Sequence, residues 1–296
     1  MVVEGAVKTT TDLLALPFDH IFYTGSTFVG KIVMKAAAVH LATVTLELGG
    51  CNPCFVDDSI DLKVAAKRIA WLKTNNSGQL CLSVNYLFIK TELLEPFLKY
   101  FEEALVEMYG TDIRNCADYP RIIHTNHFNR ISTILNSVDK ENVLLGGQSD
   151  SSDLFIPPIV VKASLTDKII SEELFAPILP IIPVDNFDKA VSFASKSKPL
   201  CSYVFSNDKQ FQENVIQNII SGTTMVNDVL MNMSYSTLPF GGCGMSGQGG
   251  YHGKFGFDEF SHSRAILIRT MIDEPIMELR YPPLTKLKLK WLNILS

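Results

Sequence analysis

Two rhythms of apolar residues run along the chain. His20-Ile21-Phe22-Tyr23 is a short apolar run that predicts a strand over residues 20–23, and Thr24-Gly25-Ser26 reads as a turn. Val29, Ile32, Val33, Ala36 and Ala37 then fall on one face of a helix over Thr27–His40. A second strand is expected over Thr43–Leu48, stopped by Gly49-Gly50, and residues 62–75 keep helical period up to the Ser77-Gly78 break. The alternation continues with a strand at 86–89, helices near 92–108 and 127–138, a strand at Ile159–Lys162 and a helix at 187–195. A strand at 202–205, a helix at 210–220 and a strand at 224–227 complete it. Strands that alternate with helices predict an α/β fold with a largely parallel sheet. Residues 239–256 hold eight glycines, too many for a regular element, and read as a long ordered functional loop.

Composition narrows the class. At 296 residues, 47% hydrophobic and 19% charged, the chain can bury a large core in one or two domains. Lys and Arg number 26 against 31 Asp and Glu, a net charge of -5, which is the wrong sign for holding nucleic acid by counterion release. The longest apolar stretch, residues 174–184, contains Pro177, Pro180 and Pro183 and is far short of the roughly 20 residues a spanning helix needs. The first residues lack the basic and apolar regions of a secretory signal, so a cytoplasmic, reducing compartment is expected, with six scattered cysteines read as free thiols.

Three places can carry chemistry. The turn Gly25-Ser26-Thr27-Phe28-Val29-Gly30 stands where a helix begins, and its unpaired amides and positive dipole end suit a phosphate. A tight turn in which Gly30 only permits close helix packing fits equally well. Cys81 follows the small, polar Asn76-Ser77-Gly78-Gln79 and reads either as an accessible reactive thiol or as a buried inert one. Glu47 interrupts an apolar strand, either as an edge carboxylate facing solvent or as a half-desolvated general base.

These segments, in this order, resemble the aldehyde dehydrogenase family. Tyr23-Thr24-Gly25-Ser26, Glu47-Leu48-Gly49-Gly50 and Gly78-Gln79-Leu80-Cys81 are similar to its hallmarks. So are Glu172-Glu173-Leu174-Phe175-Ala176-Pro177 and Pro239-Phe240-Gly241-Gly242 further on. Tyr251-His252-Gly253-Lys254, Phe260-Ser261-His262 and Arg280-Tyr281-Pro282-Pro283 resemble its class 3, fatty-aldehyde branch. The resemblance implies an aldehyde-dehydrogenase-like α/β fold with a partial Rossmann-type cofactor domain and a parallel-sheet catalytic domain. Its segments would be 1–48, the C-terminal remnant of the NAD(P)-binding domain; 49–235, the catalytic domain; and 236–296, the glycine loop and C-terminal oligomerisation tail. It also implies oxidation of medium- to long-chain aliphatic aldehydes with NAD or NADP, and a homodimer.

By the same resemblance Cys81 is the nucleophile, Glu47 activates water, and the Cys81 amide is an oxyanion donor. Gly25, Ser26, Thr27 and Gly30 belong to the cofactor's pyrophosphate turn, Glu173 holds the nicotinamide ribose and Phe175 packs near the ring. The family's chain begins earlier, with further cofactor-domain strands, a Lys for the adenosine ribose and an Asn for the oxyanion, so a fragment, isoform or incomplete gene model is expected. A truncated, catalytically impaired homologue that only binds or oligomerises is the alternative reading, and ester hydrolysis by Cys81 and Glu47 a further one. Cys51 and Ala176 replace the family's usual Lys and Gly, and the added Cβ of Ala176 weakens cofactor geometry only where that residue needs positive φ or a close ligand approach. Cys51-Asn52-Pro53-Cys54 has no second pair at zinc spacing, and His124 and His127 read as surface or capping residues, so no metal is expected. Leu287, Trp291 and Leu295 share one helical face, away from Lys286 and Lys290, and read first as an ordinary amphipathic terminal helix and second as a tail that contacts the cytosolic face of a membrane.

Overall fold

The computed structural model describes residues 1–269 and 277–295. Its first compact unit, Met1–Phe260, holds two sheets. The smaller begins after helix α1 (Val7–Leu14) with strand β1 (His20–Gly25), helix α2 (Thr27–His40) and strand β2 (Thr43–Leu48), a parallel βαβ unit with His20 opposite Thr43 and Gly25 opposite Leu48. Ser26 caps α2 by accepting from the Val29 amide, and Val33 packs with Leu46 and Leu48 beneath the helix.

The chain then crosses into a larger sheet, all parallel except at one edge. In chain order its elements are β3 (Pro53–Val56), α3 (Leu62–Thr74), β4 (Tyr86–Lys90), α4 (Leu94–Tyr109), α5 (Thr125–Asn136), β5 (Val143–Leu145), β6 (Ile159–Lys162) and β7 (Ile178–Val184). They continue with α6 (Asp188–Ala194), β8 (Cys201–Phe205), α7 (Lys209–Asn218) and β9 (Thr223–Val226). The strand order is β5-β6-β7-β4-β3-β8-β9, with β5 antiparallel to β6. Alternation along the strands feeds two cores. Cys54, Val56, Leu87, Ile89 and Tyr203 face α3 and α4, while Phe55, Tyr86, Phe88 and Val204 face α5, α6 and α7. The fold class matches the α/β expectation.

Three strands of the larger sheet, β3, β5 and β7, escape the periodicity. β3 is too short to stand out, and β7 carries Pro180 and Pro183 although it lies between β6 and β4, with Pro180 opposite Val161 and Pro183 opposite Ile89. Proline removes a ladder donor and ordinarily argues against an inner strand. The glycine loop contributes strand β10 (Gly247–Gln248), which runs antiparallel to β2 with Gly247 opposite Glu47, and is followed by α8 (Gly253–Glu259). The glycine loop therefore adds a third strand to the first sheet.

The second unit, residues 261–296, contains α9 (Lys286–Leu295), on which Leu287 and Trp291 are exposed. The Leu295 side chain and Ser296 lie outside the described residues. Among the described residues no helix is long and apolar enough to cross a membrane.

Phe55 marks the centre of one core: its ring is fully buried and lies 5.2 Å from that of Phe88 and 6.2 Å from that of Phe187. Phe55→Ala is expected to cost about 3–5 kcal/mol. Urea denaturation checks this, and a midpoint equal to that of the parent would contradict the packing.

Candidate active site

Cys81 sits on the loop that enters β4, and that loop is built by an unusual backbone. Asn76, Ser77 and Gly78 all take left-handed φ, at 51°, 53° and 68°. Such a run is costly for residues with a Cβ and persists only where surroundings hold it. Gln79 does so with its amide, donating to the carbonyls of Asn76 (2.9 Å) and Arg121 (3.1 Å) and accepting from the Ile123 amide (2.9 Å). Ser77 adds a bond to the Pro120 carbonyl at 2.6 Å. Gly78 has no alternative, because a Cβ there would run into the Ala176 carbonyl.

From the other side the buried Asn52 side chain donates to the carbonyls of Cys81 (2.7 Å) and Ser83 (3.0 Å) and accepts from the Cys201 amide (2.9 Å). The Cys81 loop is thus fixed on both sides of the thiol.

The thiol itself is half-buried and faces two carboxyl groups. It hydrogen-bonds to Glu47, and burial, then the charges of Glu47 and Glu173, push it well above the usual thiol range, while its own backbone N–H opposes the shift. Glu47 stands near the end of β2 at 2% exposure, with no hydrogen-bond partner on Oε1 among the described residues. Burial raises its carboxyl above the ordinary range and the Cys81 hydrogen bond partly offsets this. A thiol beside a buried carboxyl is an arrangement suited to a nucleophile and its base.

Glu173 closes the opposite wall. Burial pushes it up to about 7, against the Gly50 amide, Arg130 and Lys73. Gly49 lets the carboxylate approach the backbone, since a Cβ there would collide with it. The segment 172–175 is held by Asn85, which bonds the Glu172 carbonyl and the Leu174 amide at 2.9 Å each. Arg130 donates to the Leu174 carbonyl at 2.6 Å, and His127 Nε2 lies 2.7 Å from that of Phe175. Phe175 carries the segment's positive φ, at 52°, and Ala176 is buried without one. The Cβ that Ala176 adds therefore meets no positive-φ strain. Cys51, half-buried, is pushed up to about 12 by burial and then by Glu173 and Glu172, and so stays a neutral thiol.

A cavity of about 640 Å³ joins these groups. Thr24, Gly25, Ser26, Glu47, Cys81, Glu173 and Phe175 line it, together with His124, His127 and Arg130 of the α5 region. Two expected members of the turn do not reach it. Thr27 turns its hydroxyl to the Met245 carbonyl at 3.1 Å, and Gly30 is buried where a Cβ would meet the Leu48 side chain 2.7 Å away. His124 does cap α5, accepting from the His127 amide at 3.1 Å, but it also faces the cavity, as His127 does. The cavity could accept a dinucleotide's anionic and ribose parts, because it opens at the N-terminus of α2, the positive end of the helix dipole, and is also lined by the Glu173 carboxyl group. Lys73, Asn52 and Arg130 had no sequence signal beyond their residue type.

Comparison with known proteins gives the geometry a context. A family model described as "Aldehyde dehydrogenase family" matches residues 1–266. The chain is 43% identical over 292 residues to mouse "Aldehyde dehydrogenase family 3 member A2", covering 98% of this chain and 60% of that protein. It is 44% identical over 285 residues to rat "Aldehyde dehydrogenase, dimeric NADP-preferring", covering 96% and 62%. Among solved structures, a substrate-bound Staphylococcus aureus AldH superimposes with a TM-score of 0.89 at 36% identity, covering 99% of this chain and 64% of the other. A Methanocaldococcus jannaschii glyceraldehyde-3-phosphate dehydrogenase complexed with NADP gives 0.78 at 26%, covering 87% and 57%. The chain spans about three fifths of the length of the curated relatives it matches.

Proposed function

We propose the following reading for a chain that belongs to the aldehyde dehydrogenase family: it oxidises aldehydes to carboxylic acids with NAD or NADP, Cys81 being the nucleophile and Glu47 the base. The observation that carries it is the Cys81 thiol held against the buried Glu47 carboxyl, on the wall of a cavity that also contains Glu173.

Cys81 gives its proton to Glu47 and its sulfur attacks the aldehyde carbon. A C–S bond forms while the carbonyl π pair moves to oxygen, and the Cys81 backbone N–H is the donor at hand for that oxyanion. The dinucleotide, when bound, supplies the acceptor for the hydride that turns this thiohemiacetal into a thioester. Gly25 and Ser26 at the start of α2 would hold its phosphate, Glu173 its ribose hydroxyls, and Phe175 would pack by its ring. Thr27 and Gly30 serve the same turn from behind, by a hydrogen bond and by close packing. Glu47 passes the thiol's proton to solvent, then takes one from water as the water oxygen attacks the thioester, and Cys81 leaves as a thiolate that recovers this proton from Glu47.

We read the substrate as a medium- to long-chain aliphatic, fatty aldehyde from the class 3 resemblance of Tyr251-His252-Gly253-Lys254 and Phe260-Ser261-His262, and the rat relative's printed name, dimeric, supports a homodimer. We place the protein in the cytoplasm, with α9 as the element that would touch the cytosolic face of a membrane.

Aldehyde-dependent reduction of NAD or NADP by the purified chain, followed by near-ultraviolet absorbance over a series from short to long aldehydes, tests the reading. A rate that climbs with chain length is expected, and a folded chain that reduces neither dinucleotide would sink it. A second reading, a catalytically impaired homologue that acts by pairing, is favoured by one observation. Among the described residues β1 pairs only with β2, and Phe22, Phe28 and Ile32 on it and on α2 are exposed. Cooperative unfolding of the isolated chain with a midpoint raised by NAD would count against that reading.

A further inference from the structure

From Cys81 to Val84, four consecutive backbone carbonyls each accept a hydrogen bond from a buried side chain. Asn52 donates to the carbonyl of Cys81 at 2.7 Å and to that of Ser83 at 3.0 Å, the Tyr203 hydroxyl to that of Leu82 at 2.7 Å, and Lys73 Nζ to that of Val84 at 2.7 Å. Lys73 also reaches the Ser83 hydroxyl at 3.3 Å. The three donors arrive from different elements: Asn52 from the entry to β3, Lys73 from the last turn of α3 and Tyr203 from β8. None of them is more than 1% exposed.

Each of these bonds fixes one peptide plane. Only φ and ψ are soft between neighbouring planes, so holding the planes on both sides of Leu82 and of Ser83 sets their dihedrals, and with them the direction in which the chain leaves Cys81. That direction matters because Glu47, to which the thiol is bonded, stands on β2 in the other sheet and is not carried along if the loop shifts. The Tyr203 bond is the middle one, on Leu82, which is fully buried, so without it the carbonyl would have to turn in search of another donor. Burial pushes the Tyr203 phenol well above its ordinary range, so it stays an O–H donor. Its ring packs in the same core as Leu82 and Val84 and needs no hydroxyl to do so.

We propose that Tyr203 is a positioning residue of the site: its hydroxyl, on the Leu82 carbonyl, completes the clamp that aims the Cys81 thiol at the Glu47 carboxyl. The role in turnover rests on the reading of Cys81 and Glu47 given above, whereas the aiming of the thiol can be tested without it.

Tyr203→Phe removes one oxygen and keeps the ring, and Val204→Ala, on the same strand but facing the other core, serves as the control for lost stability. In steady-state kinetics with aldehyde and NAD, Tyr203→Phe is expected to lower kcat by about 10- to 100-fold while KM stays within about twofold, the pattern of a misaimed reacting group. Alkylation of Cys81 by iodoacetamide at neutral pH, followed by mass spectrometry of its peptide, should slow about tenfold, because the thiol loses its alignment with the base. The half-buried Cys116 on the same chain is the reference and should react as in the parent. Val204→Ala is expected to lower the unfolding midpoint and leave kcat and the alkylation rate unchanged. Parental kcat and alkylation in Tyr203→Phe, equal losses in Val204→Ala, or a Tyr203→Phe chain that does not fold would each overturn the positioning role. A parent chain that reduces no dinucleotide, together with the expected fall in Cys81 alkylation, would sink the dehydrogenase reading and uphold the clamp.

Discussion

Cys81→Ala is expected to reduce aldehyde-dependent dinucleotide reduction by a factor on the order of 10,000 or more, to background, because no carbon–sulfur bond can form. The neighbouring thiols cannot substitute. Cys54 and Cys201 are fully buried, and Cys51 is held neutral by burial and by Glu173 and Glu172. Alanine leaves the Asn52 clamp intact, since that clamp grips the Cys81 carbonyl rather than the thiol. The variant should therefore unfold at the parental temperature. Steady-state kinetics and a calorimetric scan check both halves, and a variant that still reduced NAD at the parental rate would show that the nucleophile had been misassigned.

Glu47→Gln should slow turnover by about 100- to 10,000-fold. The pattern matters more than the size. If Glu47 serves mainly to activate water, the variant still forms thioester and releases about one equivalent of reduced dinucleotide before stalling. The pH profile follows from the direction of its shift. Burial raises the folded carboxyl above its ordinary range, so the base form, and with it turnover, is lost as pH falls through a value higher than an exposed glutamate would give. The stability linkage has the opposite sense. A carboxyl whose folded pKa is raised binds its proton more tightly when folded, so stability declines as pH rises from the unfolded value through the folded one. Glu47→Gln removes that decline, and its melting temperature at neutral pH should not be lower than the parent's. A profile that keeps the parental inflection would assign the inflection to another group.

The sequence made the βαβ rhythm legible because most strands of the large sheet are buried on both faces and read as apolar runs flanked by helical period. β7 was hidden for a physical reason. Pro180 and Pro183 are poor strand formers, and only tertiary packing between β6 and β4 holds them extended. At the site, the residues around Cys81 and Glu47 left each reading open and Glu173 entered only through the family resemblance, and the structure brings all three to one cavity. The turn was half legible: its spacing allowed phosphate contact or helix packing, and the structure gives Gly30 the packing place. The polar residues that hold the site were not legible. Asn52, Asn85 and Lys73 act through backbone carbonyls and amides brought close only by the fold, partners that leave no mark in a sequence. His124 and His127 follow the same logic, for a histidine at a helix start is ambiguous until the opposite wall is in place.

The pairing of β10 with β2 joins residues about two hundred positions apart, Gly247 with Glu47, and this orders events during synthesis. As the nascent chain leaves the ribosome, the strand bearing Glu47 emerges about two hundred residues before the strand that covers its second edge. Contacts of such long range are slow to close. A chaperone that shields open strands would thus find its substrate in this interval, and translational pausing shortly before residue 247 would lengthen it. Active sites would accumulate only upon release of the glycine loop, long after the large sheet had begun to assemble.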